Sequence, residues 1–152
     1  MKYEPLEVLL VEDDPDDVEL TLQTLQQERI TNSVHVARDG EEALDYIFCR
    51  GACAGHNSPV LRLILLDLKL PKIDGLQVLR ELKTDPRTKD IPVVILTSSK
   101  EEKDLIASYH LGANSYIQKP VDFGQFQNTV RETGCYWLLV NQPPPPVRID
   151  PE

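Results

Sequence analysis

The sequence predicts a doubly wound α/β fold, a five-stranded parallel sheet with helices on both faces. Three observations carry that expectation. Leu63-Ile64-Leu65-Leu66 and the run from Ile91 to Leu96 are apolar without alternation, as strands buried on both faces must be. Aspartates stand at the starts of the intervening helical segments, where a carboxylate can satisfy free backbone N–H groups. Five strand-like segments alternate with five helical ones, and right-handed crossovers then gather the carboxyl ends of all strands on one edge.

Leu6 to Val11 is the first strand, and it runs straight into Glu12-Asp13-Asp14. Asp14 before Pro15 starts the first helix: the acid caps, proline suits the first helical position, and Asp16 and Asp17 suit the positive end of the dipole. Val18, Leu22 and Leu25 mark its inner face. Val34 and Val36 alternate with polar neighbours as a second strand, and Asp39-Gly40 opens a helix with Ala43, Leu44, Ile47 and Phe48 inward. The segment from Gly51 to Pro59 reads as a long polar loop. Cys49, Cys53 and His56 have a superficially metal-like spacing there, but a fourth ligand is missing and Cys135 falls in a helical context.

After the central strand, Pro71 forces a turn and Asp74-Gly75 begins a third helix, with Leu76, Leu79 and Leu82 inward and an end near Asp85-Pro86. The fourth strand, Ile91 to Leu96, ends at Thr97-Ser98-Ser99. Ser99 with Glu102 fits a capping box for a fourth helix that carries Leu105, Ile106 and Tyr109, with Gly112 as its terminator. Ser115 to Gln118 is the fifth strand, and Asp122 with Gln125 caps a last helix with Phe126 and Val130 inward. Residues 1–140 are expected to form one domain, and 141–152, with four successive prolines, an extended and mobile tail.

Composition excludes several classes of function. A net charge of -9 with no basic patch argues against nucleic acid as a partner. No apolar run approaches a membrane span, and the first residues lack the apolar core of a signal peptide. Three cysteines are too few for a disulfide scaffold, so a cytoplasmic protein without membrane partners is expected.

What the topology brings to one edge is Glu12 and Asp13 after the first strand, Asp67 after the third, Thr97 after the fourth and Lys119 after the fifth. Ligands of open α/β sheets bind at that edge. Each residue alone has an ordinary explanation as a cap, a strand end or a solvated charge; their convergence does not.

The residues Val11-Glu12-Asp13, Leu66-Asp67 with Pro71 and Asp74-Gly75, Leu96-Thr97-Ser98, and Gly112-Ala113 through Tyr116 to Lys119-Pro120 resemble the receiver domain of two-component response regulators. The match runs in order over nearly the whole chain. The loop before the third strand and the aromatic-rich end Tyr136-Trp137-Leu138-Leu139 are similar, more narrowly, to single-domain regulators of cyanobacterial phytochrome histidine kinases. This resemblance implies a flavodoxin-like strand order of 2-1-3-4-5. It also implies that Asp67 accepts a phosphoryl group from a histidine kinase, of phytochrome type. Asp13 and Asp67 would bind Mg2+ directly, Glu12 through water, and the Lys69 carbonyl would complete the protein ligands. Thr97 would donate its hydroxyl to a phosphoryl oxygen.

Elementary chemistry supports this independently. Three close carboxylates ionise together only beside cations, and a divalent ion with Lys119 balances them. Magnesium suits oxygen ligands and shared phosphoryl groups. Asp67 can then act as a carboxylate nucleophile, with metal and Lys119 offsetting charge on the transferring oxygens.

No DNA-binding or catalytic module follows in the sequence, so the output is expected to be conformational and not enzymatic. Drawing Thr97 toward the phosphoryl group leaves space for Tyr116 to turn inward, which makes the face of helix four, strand five and helix five the expected switch; Tyr116 as plain core packing is the alternative. Tyr136 to Val140 is continuously apolar and suits either homodimerisation through that face or folding back on the core. Lys69 can shield the phosphoryl group from water or point to solvent. Two rival functions are an aspartyl-phosphate-forming phosphatase, which usually needs an acid where Lys69 stands, and a receiver-like binding module that never takes phosphate.

Overall fold

In the computed structural model, which describes residues 7–31, 33–55 and 60–145, the elements alternate as the apolar runs require. They are β1 (Glu7–Val11), α1 (Pro15–Gln27), β2 (Ser33–Ala37), α2 (Gly40–Phe48), β3 (Leu61–Leu66), α3 (Gly75–Thr84), β4 (Val93–Thr97), α4 (Glu102–His110), β5 (Ser115–Gln118) and α5 (Phe123–Gly134). All five strands are parallel, in the order β2-β1-β3-β4-β5. The predicted fold class and strand order are therefore those observed.

The two-residue period of a strand divides the core. Leu9, Val11, Ile64, Leu66 and Ile95 face one side, where they pack with Ala43, Leu44 and Ile47 of α2 and Val78, Leu79 and Leu82 of α3. Val8, Leu10, Leu63, Leu65, Val94 and Leu96 face the other, with Val18, Leu20 and Leu25 of α1 and Phe126 and Val130 of α5. Both faces of β1 and β3 are dry, which explains their unbroken apolar runs.

Four helices start on an aspartate whose carboxylate accepts backbone N–H groups of the first turn. Asp14 takes those of Asp16 and Asp17, Asp39 that of Glu42, Asp74 that of Gln77, and Asp122 that of Gln125. Gly112, at φ +105°, ends α4 in a conformation that side chains resist.

Several expectations need correction. The fourth strand begins at Val93, not Ile91: Ile91 N–H donates into a turn at the Thr88 carbonyl, and Pro92 has no N–H to give the ladder. Leu76 of α3 is only half-buried, and Val78 takes the inner position. Ser99 is not the cap of α4. The helix starts after Glu101, which makes no side-chain capping bond, while the Ser99 hydroxyl donates to Asp104 Oδ2 at 2.6 Å. The apolar residues that α4 carries, Leu105, Ile106 and Tyr109, are 37%, 60% and 52% exposed, and the helix buries Asp104 and Ser108.

The segment after Gly134 is not a continuation of the α-helix but a π-helical turn, Cys135–Val140, closed by Asn141 N–H on the Tyr136 carbonyl. It divides its apolar residues. Leu138 is buried and Trp137 half-buried against the core, while Tyr136, Leu139 and Val140 are exposed. Cys49 and Cys53 are free thiols beside a short 3₁₀ turn, Gly51–Cys53, and they belong to no ligand cluster found among the described residues; His56 lies outside them. Leu6 and residues 146–152 of the expected tail also lie outside the described residues. Among the described residues, no helix is long and apolar enough to cross a membrane.

Candidate functional site

Strand register builds the site. Val11 pairs with Leu66, so the residues that follow, Glu12 and Asp67, leave the sheet side by side, tied by Asp67 N–H on the Val11 carbonyl at 3.1 Å. Thr97 pairs with Gln118, and Lys119 N–H then reaches the Thr97 carbonyl at 2.7 Å. Four residues far apart in sequence thus meet at one edge because each stands at the end of a strand in register with its neighbour.

Glu12, Asp13 and Asp67 bring one carboxylate oxygen each to within 4.8 Å of one another. Glu12 and Asp67 are buried and Asp13 is exposed, so the cluster opens on the Asp13 side. Local backbone groups orient it. Asp67 Oδ1 accepts Leu68 N–H at 2.7 Å and Lys69 N–H at 3.4 Å, and Glu12 Oε2 accepts Asp13 N–H at 3.0 Å and Asp14 N–H at 3.3 Å. Gly75 lies so close under the loop that a Cβ there would overlap the Asp67 carbonyl. Its N–H donates to the Leu68 carbonyl at 2.9 Å, which fixes the turn that follows Asp67.

The Lys119 ammonium, with a side chain only 8% exposed, donates to Glu12 Oε1, to Asp17 Oδ2 at 2.9 Å and to Asp67 Oδ2 at 3.2 Å. Burial alone would push its pKa down; hydrogen bonds to Glu12 and Asp17 and the charges of Glu12 and Asp67 more than reverse this and hold it above the usual lysine value. Burial, reinforced by the Asp67 charge, pushes the Glu12 carboxyl up to about 8, with Lys119 pulling the other way. One ammonium does not balance these acids. The surplus takes up a proton where no further cation is present, which is what a site built for a divalent ion should do. Three convergent oxygen donors, one of them open to solvent, fit a hard cation that keeps waters.

Asp17 was not among the sequence-predicted site residues. Its first-turn position explained it as a favourable dipole charge, yet the same position turns its side chain back over the edge to Lys119. Thr97 is fully buried, and its Oγ1 accepts Ser99 N–H at 3.3 Å. Tyr116 is half-buried against the α2/α3 side of the core, with its hydroxyl donating to the Ser99 carbonyl at 3.3 Å. Lys69 turns neither to Asp67 nor freely into solvent: its Nζ lies 3.6 Å from Asp104 Oδ2. The Ser99 hydrogen bond holds the Asp104 carboxyl below the usual range against the opposing effect of burial, and Lys69 assists. Asp13, Lys69, Asp74 and Asp104 line a cleft of about 310 Å³.

The fold is that of a receiver domain. The response regulator receiver domain family matches residues 8–131, and the chain belongs to it. Among its relatives, response regulator Rcp1 of Synechocystis sp. (strain ATCC 27184 / PCC 6803 / Kazusa) is 41% identical over 88% of this chain and 90% of its own. A protein named Probable methanogenesis regulatory protein FilR2, of Methanothrix harundinacea (strain 6Ac), is 39% identical over 94% of this chain and 90% of its own. Two solved structures superpose at a TM-score of 0.86, each covering 92% of this chain and 99% of the other: the Mn2+-bound form of Rcp1, at 38% identity, and the phosphorylated cyanobacterial phytochrome response regulator RcpA, at 39%.

Proposed function

We propose that this protein is a phosphorylation-controlled regulator in which Asp67 accepts a phosphoryl group from a phytochrome-type histidine kinase. The observation that carries the reading is the environment of the Asp67 carboxylate. Oδ1 is fixed by two backbone N–H groups, while Oδ2 faces Lys119, so one oxygen is oriented beside a cation within an acidic cluster. A carboxylate oxygen of Asp67 attacks phosphorus, the bond from phosphorus to the kinase histidine nitrogen breaks, and the freed imidazole takes its proton from solvent. Lys119 stabilises charge on the transferring oxygens, and Thr97 donates its hydroxyl to one of them. Mg2+, bound by Asp13 and Asp67, through water by Glu12, and by the Lys69 carbonyl, would supply the remaining charge compensation.

The similarity to Rcp1 and RcpA supports the pairing with a phytochrome kinase, and the acidic surface supports a protein partner in the cytoplasm in place of nucleic acid. The output is a change on the face of α4, β5 and α5, with Thr97 and Tyr116 as the moving pair, and homodimerisation is the form it takes. Exposed Leu105, Ile106 and Tyr109, together with Tyr136, Leu139 and Val140 of the π-turn, supply apolar area for a second copy.

The test is labelling with radioactive acetyl phosphate. The native protein is expected to take label in Mg2+ and lose that capacity in EDTA, and Asp67→Asn to take none; equal labelling of Asp67→Asn refutes the assignment. Light scattering at micromolar concentration, with and without phosphodonor, tests the dimer, and a monomeric mass in both states removes it.

A further inference from the structure

Helix α4 breaks two regularities that the other four helices keep. It alone starts without a side-chain cap, and it alone turns an acid inward and its large apolar residues outward. The partners of that acid explain the inversion. Asp104, with a side chain 8% exposed, accepts the Ser99 hydroxyl and faces the Lys69 ammonium. Lys103, the adjacent cation, is instead 3.1 Å from Glu101. Lys69 stands two residues beyond Asp67, its own N–H bonded to Asp67 Oδ1, and it shares the cleft with Asp13 and Asp104. The ammonium therefore sits where either a buried carboxylate or a group added to Asp67 can hold it.

We propose that Asp104 is a positioning residue for Lys69, and that phosphorylation of Asp67 draws the Lys69 ammonium from Asp104 to the phosphoryl group and so releases the first turn of α4. This rests on the reading of Asp67 as the phosphoryl acceptor. A phosphoryl group brings about one further negative charge into a cleft that already holds Asp13 and Asp104. Lys69 is the cation that lines that cleft, 63% exposed and on a long side chain. Once it leaves, Asp104 keeps the Ser99 hydroxyl and the more distant charge of Lys103, which pairs with Glu101, and a buried carboxylate without its close counter-ion is strongly unfavourable. An uncapped first turn offers the least resistance to bringing it back to water. Ser99 moves with Asp104. Because Ser99 N–H is bonded to Thr97 and its carbonyl to Tyr116, the displacement reaches both. The exposed Leu105, Ile106 and Tyr109 ride on the same helix.

The experiment uses the full chain in four forms: native, Lys69→Gln, Asp104→Asn and the double variant. Amide chemical shifts of residues 101–110 are followed on adding beryllofluoride with Mg2+, and loss of label from phosphorylated Asp67 is timed. The native protein is expected to show a large response along α4, and both single variants to lose it. Removing the competitor should hold Lys69 on the phosphoryl group, so Asp104→Asn is expected to lengthen the label's lifetime about fivefold, the weight of a partly exposed ion pair. Lys69→Gln should shorten it. In the Lys69→Gln background, Asp104→Asn should then change nothing, a conditional effect that a merely structural carboxylate cannot produce. Equal effects of Asp104→Asn in both backgrounds overturn the proposal while labelling of the native protein still upholds the acceptor reading; failure of the native protein to label overturns both. Should Asp104→Asn not fold, the exposed Lys69→Gln decides alone, since an undiminished α4 response in it refutes the exchange.

Discussion

Two lysines stand at opposite ends of the sheet and are handled in opposite ways. At the amino edge, Lys83 Nζ donates to the carbonyls of Lys89 and Ile91 and to Asn114 Oδ1, at 3.0, 2.9 and 3.0 Å. All three acceptors are neutral, and burial pushes the Lys83 pKa down. At the carboxyl edge, Lys119 Nζ also has three partners, but all are carboxylates, and its pKa is held up. Lys83 is a finished structural joint: its donors are used, and Asn114 Oδ1 also accepts Val93 N–H, tying α3 to the starts of β4 and β5. Lys119 is one cation among too many anions, a site that further positive charge completes. Satisfaction at one end and surplus at the other separate fold maintenance from function within one layer of strands.

The largest expected effect comes from making the same substitution at both ends. Lys119→Met should slow acetyl-phosphate labelling by about two to three orders of magnitude, the weight of a preorganised charge in group transfer. Lys83→Met should leave the labelling rate within a factor of about two and instead lower unfolding free energy by about 1 kcal/mol, because three partly exposed acceptors lose their donor. Urea denaturation and labelling on both variants check this, and a labelling defect in Lys83→Met would break the contrast.

A third effect depends on pH. The Glu12 carboxyl titrates near 8 in the folded protein, against an ordinary 4.5. Between those values the unfolded chain has released a proton that the folded one keeps, so stability of the metal-free protein should fall as pH rises through this window. A divalent cation favours ionised Glu12 and should abolish the trend. Melting temperatures from pH 5 to 8, with EDTA or with Mg2+, read both slopes; a flat EDTA series contradicts the surplus of charge at this end.

The smallest effect sharpens the boundary between the two kinds of acid at the carboxyl edge. Asp122 lies just beyond Lys119, but its carboxylate caps α5. Asp122→Ala should lose about 1 kcal/mol of stability and leave divalent-ion binding unchanged, as an ion titration would verify.

Much of this was legible in the sequence because the signals are local. Four of the five helix starts were marked by an aspartate that caps, and Asp39-Gly40, Asp74-Gly75 and Asp122 stand where the helices begin. The strand-end residues Glu12, Asp67, Thr97 and Lys119 were legible as a group because parallel topology alone sends strand ends to one edge. Asp17 was not, since a first-turn aspartate is already explained by the helix dipole, and its reach to Lys119 depends on how the chain that follows β5 passes the start of α1.

The sequence by itself determined the alternation of strands and helices, the parallel sheet and the acids at its carboxyl edge, because apolar runs and capping residues act through neighbours in the chain. Only the tertiary structure decided which way α4 faces. The apolar Leu105, Ile106 and Tyr109 that the helix carries stay exposed, while Asp104 takes the buried position that faces Lys69 and Ser99. A helix chooses its buried face by what surrounding elements offer. Here they offer a cation and a hydroxyl, partners five and thirty-five residues away whose approach no local pattern records.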